Sequence, residues 1–495
     1  MLRMSGILGL RHRLFDLGLP DPNPAHSPLL SALSWAAILL WFVAGVLMAT
    51  VPLSGDEVHY AKAAKAIGAF LRVEIPLETM LATVVDYGWF VPGMSLLLTP
   101  LYVFGTPDVA LVRIYLLIAT FCLFLVAIRE VNVEFGRRYA VVLLIFPGLD
   151  ITWHLFAATA WGDTCAGLVL VVVFVRTFRI ARRALEGDPT RSNDVAVLEL
   201  ALILAFYMRG SLLLLAVAVH IFLLAMLVVG AQWRSFLLGT RMVVVGGACF
   251  CIAVAPWSFA ASRTLGDLVI ATSTPVLSFG ITFGDPQDIC FGRCPGLEAG
   301  EIIWVAAVKF SRVYAADNGI SELEAQRRMS AYATRNLTTT VYMRRVRTNF
   351  ARFSMSPAQL TYQRFLPANR LGLGSATIET LGYVATGWTG LIYFPGLLAL
   401  MICNLVVTRR NLNSQIQSLV IKMFTVCIFL QPFLHPAHAR YWPIFAPLMA
   451  ISAAYLFRLC AVRSINQHAG AWPLLAIQWA YVALVVSGSL VIVVF

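Results

Sequence analysis

Residues 211–230 read Ser211-Leu-Leu-Leu-Leu-Ala-Val-Ala-Val-His-Ile-Phe-Leu-Leu-Ala-Met-Leu-Val-Val-Gly230, with no Asp, Glu, Lys or Arg. A helix rises about 1.5 Å per residue, so a run of this length crosses a hydrocarbon core of roughly 30 Å. Comparable runs lie at about 31–53, 109–128, 139–158, 164–180, 195–208, 240–260, 376–408, 417–434, 441–458 and 472–495. None alternates apolar with polar residues, as the strands of a membrane barrel must. The expectation is an all-α integral membrane protein with about eleven transmembrane helices. Residues 90–105 are apolar but carry Pro92 and Pro100, and read as a re-entrant or interfacial segment.

The chain is 59% hydrophobic and 13% charged, too little charge to cover a soluble protein of 495 residues. Its net charge of +12 does not indicate nucleic acid, because the arginines cluster between apolar runs. Arg129, Arg137 and Arg138 share one short loop; Arg176, Arg179, Arg182 and Arg183 share another. Arg234 and Arg241, Arg409 and Arg410, and Arg458 and Arg463 mark three more. With the N-terminus inside, all of these are cytoplasmic, as is the tail bearing Arg3, Arg11 and Arg13, which satisfies the positive-inside trend. The run at 31–53 lacks a small-residue cleavage site and reads as a retained first helix. Residues 54–108 and 261–375 are then long outer-face loops carrying short amphipathic helices, with arginines of the second facing lipid phosphates. The resulting organisation is an N-terminal transmembrane module over 1–260 with the first outer loop inside it, the loop region 261–375, and C-terminal transmembrane helices over 376–495.

Ionisable residues near the membrane surface carry the functional signal. The first loop opens Ser54-Gly-Asp-Glu-Val-His-Tyr60, followed by strong helix formers. Ser54 and Glu57 fit a capping box, which leaves Asp56 unexplained. Asp86, in Asp86-Tyr-Gly-Trp-Phe-Val-Pro92, is either an ordinary loop acid or a partner of Asp56 around a metal ion or a phosphate-binding residue. Arg209 interrupts an apolar sequence at the outer end of a span, and either snorkels or holds a lipid phosphate. His435-Pro-Ala-His-Ala-Arg-Tyr-Trp-Pro443 places Arg440 in an outer loop against the prevailing charge trend. His435 and His438 are weak metal candidates, and Arg440 reads better as a phosphate or structural anchor. Asp163 pairs with Arg209 or Arg440, or caps the next helix. Cys290 and Cys294 can form a short structural disulfide if their side is oxidising.

Gly55-Asp56-Glu57 followed by Tyr60 resembles the acidic element after the first span of polytopic GT-C glycosyltransferases. The branch it is similar to comprises bacterial relatives of protein O-mannosyltransferases and of the lipid A aminoarabinose transferase. Asp86-Tyr-Gly-Trp-Phe-Val-Pro-Gly resembles that family's acid-then-proline segment. Ala255-Pro-Trp257 with Ala271-Thr-Ser-Thr274, and Arg440-Tyr-Trp-Pro443 with Pro447, resemble two later elements. His59 stands where the aminoarabinose transferases have arginine, and Tyr87 and Gly88 replace a basic residue and a double proline. The resemblance implies a GT-C-like bundle, a polyprenyl-phosphate sugar donor, and inversion at the anomeric carbon. It implies a lipid, polysaccharide or protein acceptor and a site facing the periplasm or exterior of a bacterial inner membrane. Asp56 would act as base, with Glu57 and Asp86 orienting it or binding a divalent metal (Mg, Mn or Ca). Arg209 and Arg440 would hold the donor phosphate. His59, Tyr60, Tyr87, His435 and Tyr441 would line the substrate site.

Two other classes compete. A transporter or flippase for lipid-linked saccharides places ionisable residues near the midplane on broken helices, often in repeats; here the acids gather in outer loops and no repeat is visible. An O-antigen ligase or polymerase uses arginines and histidine of a large late loop, which the early Asp56-Glu57 element disfavours.

Overall fold

The apolar runs become helices whose ends carry nearly all the charge. In the computed structural model, residues 28–230, 233–297, 301–354, 375–437, 439–461 and 472–494 are described. Arg3, Arg11, Arg13, His438 and Arg463 lie outside the described residues. Helix α1 (Pro28–Met48) leads into the first polar segment, which holds α2 (Asp56–Leu71), α3 (Leu77–Val85) and α4 (Gly93–Val103). There follow α5 (Val109–Phe135), α6 (Arg137–Ile145), α7 (Ile151–Ala157), α8 (Asp163–Glu186), α9 (Ser192–Met208), α10 (Leu213–Gly230) and α11 (Trp233–Leu265). The second polar segment holds α12 (Thr274–Phe283), α13 (Ile303–Asn318), α14 (Glu322–Ala333) and α15 (Thr339–Phe353). The chain finishes with α16 (Ser375–Leu405), α17 (Leu412–Phe429), the single turn α18 (Gln431–Leu434), α19 (Trp442–Ala461) and α20 (Trp472–Val494). No strand occurs among the described residues. The protein is an all-helical, multi-pass membrane protein.

Among the described residues, eight helices are long and apolar enough to cross a membrane: α5, α8, α10, α11, α16, α17, α19 and α20. The first expected span forms α1, a 21-residue helix with no charged residue, while the remaining two depart from single crossings of full length. Helix α9 has 17 residues and buries Asp194 and Glu199. The run at 139–158 is two helices, α6 and α7, separated at Phe146–Asp150. Pro147 has no amide hydrogen with which to continue a helix. Asp150 then restarts one, accepting from the Thr152 amide at 2.9 Å and from Thr389 Oγ1 at 2.9 Å. Hydropathy averages over such a break, which explains why the run reads as one span. Helix α4, inside the segment 90–105, has 11 residues and is too short to cross.

Helix α8 is the axis of the bundle. Of its apolar window 89% is buried, against 17% for the peripheral α20. Gly167 permits this: a Cβ there would lie 2.3 Å from the Pro443 carbonyl oxygen at the start of α19. At the other end of α8, Arg176, Arg179, Arg182 and Arg183 are bound by Glu130 and Glu134 of α5 and Asp194 of α9. Those arginines therefore brace three helices as well as biasing charge. Inside the bundle, Glu199 meets His220 Nε2 at 3.1 Å, and Gly246 leaves the room, since a Cβ would fall 2.5 Å from Glu199 Oε1.

The two polar segments pack onto each other. Ser273 donates from its amide to Gly88 O at 2.8 Å and from its hydroxyl to Tyr87 O at 2.7 Å. Cys290 and Cys294 form a disulfide. Helix α4 is seated against the end of α9 through Gly93, whose absent Cβ would lie 2.2 Å from Tyr207 O, two residues before Arg209. Gly93→Ala should therefore force backbone apart and cost about 1–3 kcal/mol, read as a lower thermal unfolding midpoint of the protein in detergent. Gly105→Ala meets no neighbouring atom within 4 Å and, despite its positive φ, controls for steric crowding.

Candidate active site

The two adjacent acids of Gly55-Asp56-Glu57 part company at once. Gly55 has φ +59° and ψ −128°, a backbone conformation that glycine adopts without strain, and it starts α2 abruptly. Glu57 then turns inward and is fully buried. Its Oε1 accepts from Arg113 Nη1 and from the Ala160 amide at 2.9 Å. Its Oε2 accepts from Arg113 Nη2 at 3.0 Å and from the Ser54 amide at 3.0 Å. The Ser54 contact is the glutamate half of the expected capping box. Arg113, near the start of α5, also donates to the carbonyls of Val51, Pro52 and Ala158. Five carbonyl or carboxylate acceptors thus surround a guanidinium whose exposure is zero.

Asp56 faces the other way. Its Oδ2 accepts from Arg440 Nη2 at 2.8 Å. The same nitrogen lies 3.3 Å from the Tyr441 hydroxyl, and the guanidinium rests over the Trp161 and Tyr441 rings at 5.3 and 5.0 Å. Arg209 covers the Tyr441 ring at 4.6 Å and is ion-paired with buried Asp163 at 2.8 Å. Tyr60, one helical turn after Asp56, completes the cluster. Burial pushes its phenol well above the ordinary value, with Arg209 opposing and Asp56 reinforcing the shift, so the hydroxyl is a neutral donor. Asp56, Tyr60, Asp163, Arg209, Arg440 and Tyr441 thus converge from α2, α8, the α9–α10 junction and the loop before α19. Buried atoms Asp163 Oδ2 and Arg440 Nε have no hydrogen-bond partner.

A second group adjoins the first. Asp86 lies 3.5 Å from His59 Nδ1, 3.7 Å from Lys62 and 3.5 Å from Arg312. Arg312 covers the Tyr87 ring at 3.9 Å. His59 stacks on Phe90 at 5.4 Å, and Trp89 connects Phe90 to Trp304, whose ring stacks on His435 at 6.5 Å. His59, Tyr87 and His435 therefore lie along an aromatic row beside the arginine–aspartate cluster.

Glu57 and Asp86 belong to separate networks. All four lone-pair directions of Glu57 are used by N–H donors, and Asp86 is surrounded by His59, Lys62 and Arg312. They do not fit a shared metal. Among the described residues, no three His, Cys, Asp or Glu side chains gather in a metal-binding group. The functional residue that sequence reasoning missed is Arg113. Its signal was available: a charge inside an apolar run demands a partner, the same rule that marked Arg209.

Two outcomes follow. Arg113→Met strands the Glu57 carboxylate and should cost about 3–5 kcal/mol, seen by thermal unfolding; Arg113→Met with Glu57→Leu should recover much of that loss. At Asp86, burial disfavours the charge, but the hydrogen bond from His59 and the charges of Lys62 and Arg312 outweigh it and hold the carboxyl below its usual range. The folded value lies under the unfolded one, so this stabilisation is complete above the ordinary carboxylate range and disappears as pH falls through the lower folded value. Asp86→Asn should lower stability at neutral pH and flatten the acid limb of the stability profile measured by denaturation against pH.

No protein-family model and no curated protein matches the chain. Among solved structures, ArnT from Cupriavidus metallidurans bound to undecaprenyl phosphate is similar over 88% of this chain and 79% of its own, at 15% identity and a TM-score of 0.37.

Proposed function

We propose that this protein is an inverting glycosyltransferase that moves a sugar from a polyprenyl-phosphate donor to a hydroxyl acceptor on the non-cytoplasmic face of the membrane. The observation that carries the reading is the Asp56–Arg440 pair at 2.8 Å, flanked by Arg209–Asp163 and walled by Tyr60, Trp161 and Tyr441. A carboxylate that can serve as base is in direct contact with a guanidinium that can hold phosphate, at the ends of membrane spans where a lipid-borne headgroup resides. The positive-inside distribution of the short-loop arginines supports the non-cytoplasmic side, and the sequence resemblance to GT-C enzymes supports the donor class.

The chemistry follows from those groups. The donor phosphate competes for Arg440, whose Nε is unpartnered, and for Arg209. Bidentate guanidinium–phosphate contacts are strong and directional. Binding there loosens Arg440 from Asp56, which accepts the proton of the acceptor hydroxyl. The hydroxyl oxygen attacks the anomeric carbon from the face opposite the phosphate, and the bond from that carbon to the phosphate oxygen breaks with its electron pair. The phosphate leaves as an anion, so the arginines stabilise charge where it develops and no general acid is required. Tyr60, kept neutral, donates a hydrogen bond into the same space. Glu57 acts through Arg113 by holding the turn that presents Asp56.

The test is turnover of a panel of polyprenyl-phosphate sugars by purified protein supplied with candidate hydroxyl acceptors. Wild type should release free polyprenyl phosphate, and Asp56→Asn should lower turnover about 10²- to 10⁴-fold while the protein remains folded. Arg440→Gln should reduce kcat/KM about tenfold or more, in line with a charge-assisted hydrogen bond worth about 1.5–3 kcal/mol. An Asp56→Asn protein with undiminished turnover removes the proposed base. Movement of intact lipid-linked sugar across the bilayer without transfer replaces the reading with a transporter.

A further inference from the structure

Residues 325–378 contain nine arginines and not one Asp, Glu or Lys. Three of these arginines, all N-terminal to α15, are paired with acids. Arg327 meets Asp267 at 2.5 Å, Arg328 meets Glu324 at 2.9 Å, and Arg335 meets Asp288 at 2.6 Å. Helix α15 differs. It buries Met343, Val346, Asn349 and Phe353 along one side, while Arg344, Arg347 and Arg352 are exposed on the other. No carboxylate among the described residues pairs with those three. At 100° per residue they share an arc with the exposed Thr340 and Thr348, giving a face of guanidinium and hydroxyl donors without an acceptor charge.

The buried side fixes where this face sits. Phe353 packs on Phe429, the last residue of α17, at 5.2 Å, and on Phe445, in the first turn of α19, at 5.0 Å. Asn349 donates to the carbonyls of Pro432 and His435 at 3.2 and 3.3 Å, and the Tyr342 hydroxyl donates to Phe433 O at 2.8 Å. Helix α15 is thus bound to the rim where two spans leave the apolar layer, beside the loop that carries Arg440. An amphipathic helix at that level, with only cations on its outer arc, faces the lipid headgroup layer.

We infer that Arg344, Arg347 and Arg352 form a docking face for anionic phospholipid headgroups in the leaflet onto which the candidate active site opens. The charge complement is direct: phosphodiester oxygens accept from guanidinium forks, and a basic surface helix gains affinity with the anionic fraction of the leaflet. A soluble anionic partner would not account for the anchoring of the helix at the ends of the spans. This face lies outside the arginine–aspartate cluster and does not depend on the reaction proposed for it.

The test is native mass spectrometry of the full chain released from nanodiscs made of equal parts phosphatidylglycerol and phosphatidylcholine. Wild type should retain phosphatidylglycerol in preference. The triple variant Arg344→Gln/Arg347→Gln/Arg352→Gln should show a several-fold smaller preference, with phosphatidylcholine retention unchanged. The triple lysine variant at the same positions, which keeps the charge, should retain most of it. The same phosphatidylglycerol preference in the glutamine variant overturns the assignment, and so does a parallel loss of both lipids. No sugar transfer is measured, so the outcome is separate from the fate of the proposed reaction.

Discussion

The candidate site depends on one fully buried ion pair, Glu57–Arg113. Arg113 uses both Nη groups and Nε, and every acceptor around it comes from a segment that must be held in place. Val51 and Pro52 form the exit from α1, Glu57 starts α2, and Ala158 ends α7. An isolated charge at that depth would be very costly, and a pair repays its desolvation only when its remaining hydrogen-bonding capacity is satisfied. Here four N–H donors surround the carboxylate. The consequence is geometric: three chain segments near the membrane surface are fixed relative to α5.

Asp56 inherits its placement from that hub. Consecutive residues at the start of a helix point about 100° apart, so anchoring Glu57 inward sends Asp56 outward along the bundle end. A mobile loop could not keep a carboxylate in contact with Arg440, 384 positions away in sequence. Helix α15 holds the other half by bonding to the carbonyls of Pro432, Phe433 and His435 before the loop reaches Arg440. The acid and the arginine are thus each positioned by a separate structural bond set.

Much of this was legible because charge near hydrocarbon is expensive. Asp56, Arg209 and Arg440 stood out as charges that local capping or topology did not explain, and the structure brings them together with Tyr60 and Tyr441. Two things were harder to read. Glu57 resembles its neighbour in composition, and only the position of Arg113 distinguishes a structural acid from one available for chemistry. The break at Phe146–Asp150 was hidden by averaging hydropathy, although Pro147 and Asp150 are visible signs. Asp86 was legible as a polar outlier but not as part of a separate network, because its partner Arg312 comes from a helix 226 positions later.

The charges of the cluster also bear on the order of events under the proposed reaction. Asp56 and Asp163 formally cancel Arg209 and Arg440, so the resting site is balanced and stable without ligand. A polyprenyl-phosphate sugar brings a single phosphodiester charge, whereas the released phosphomonoester carries about −1.5 to −2. When Asp56 takes the proton of the acceptor, its own charge disappears and one guanidinium is left uncompensated. That positive charge arises at the same step, and beside the same arginines, as the added negative charge on the leaving phosphate. Proton transfer and phosphate departure therefore reinforce one another electrostatically. Asp163, buried against Arg209, keeps the second guanidinium oriented throughout.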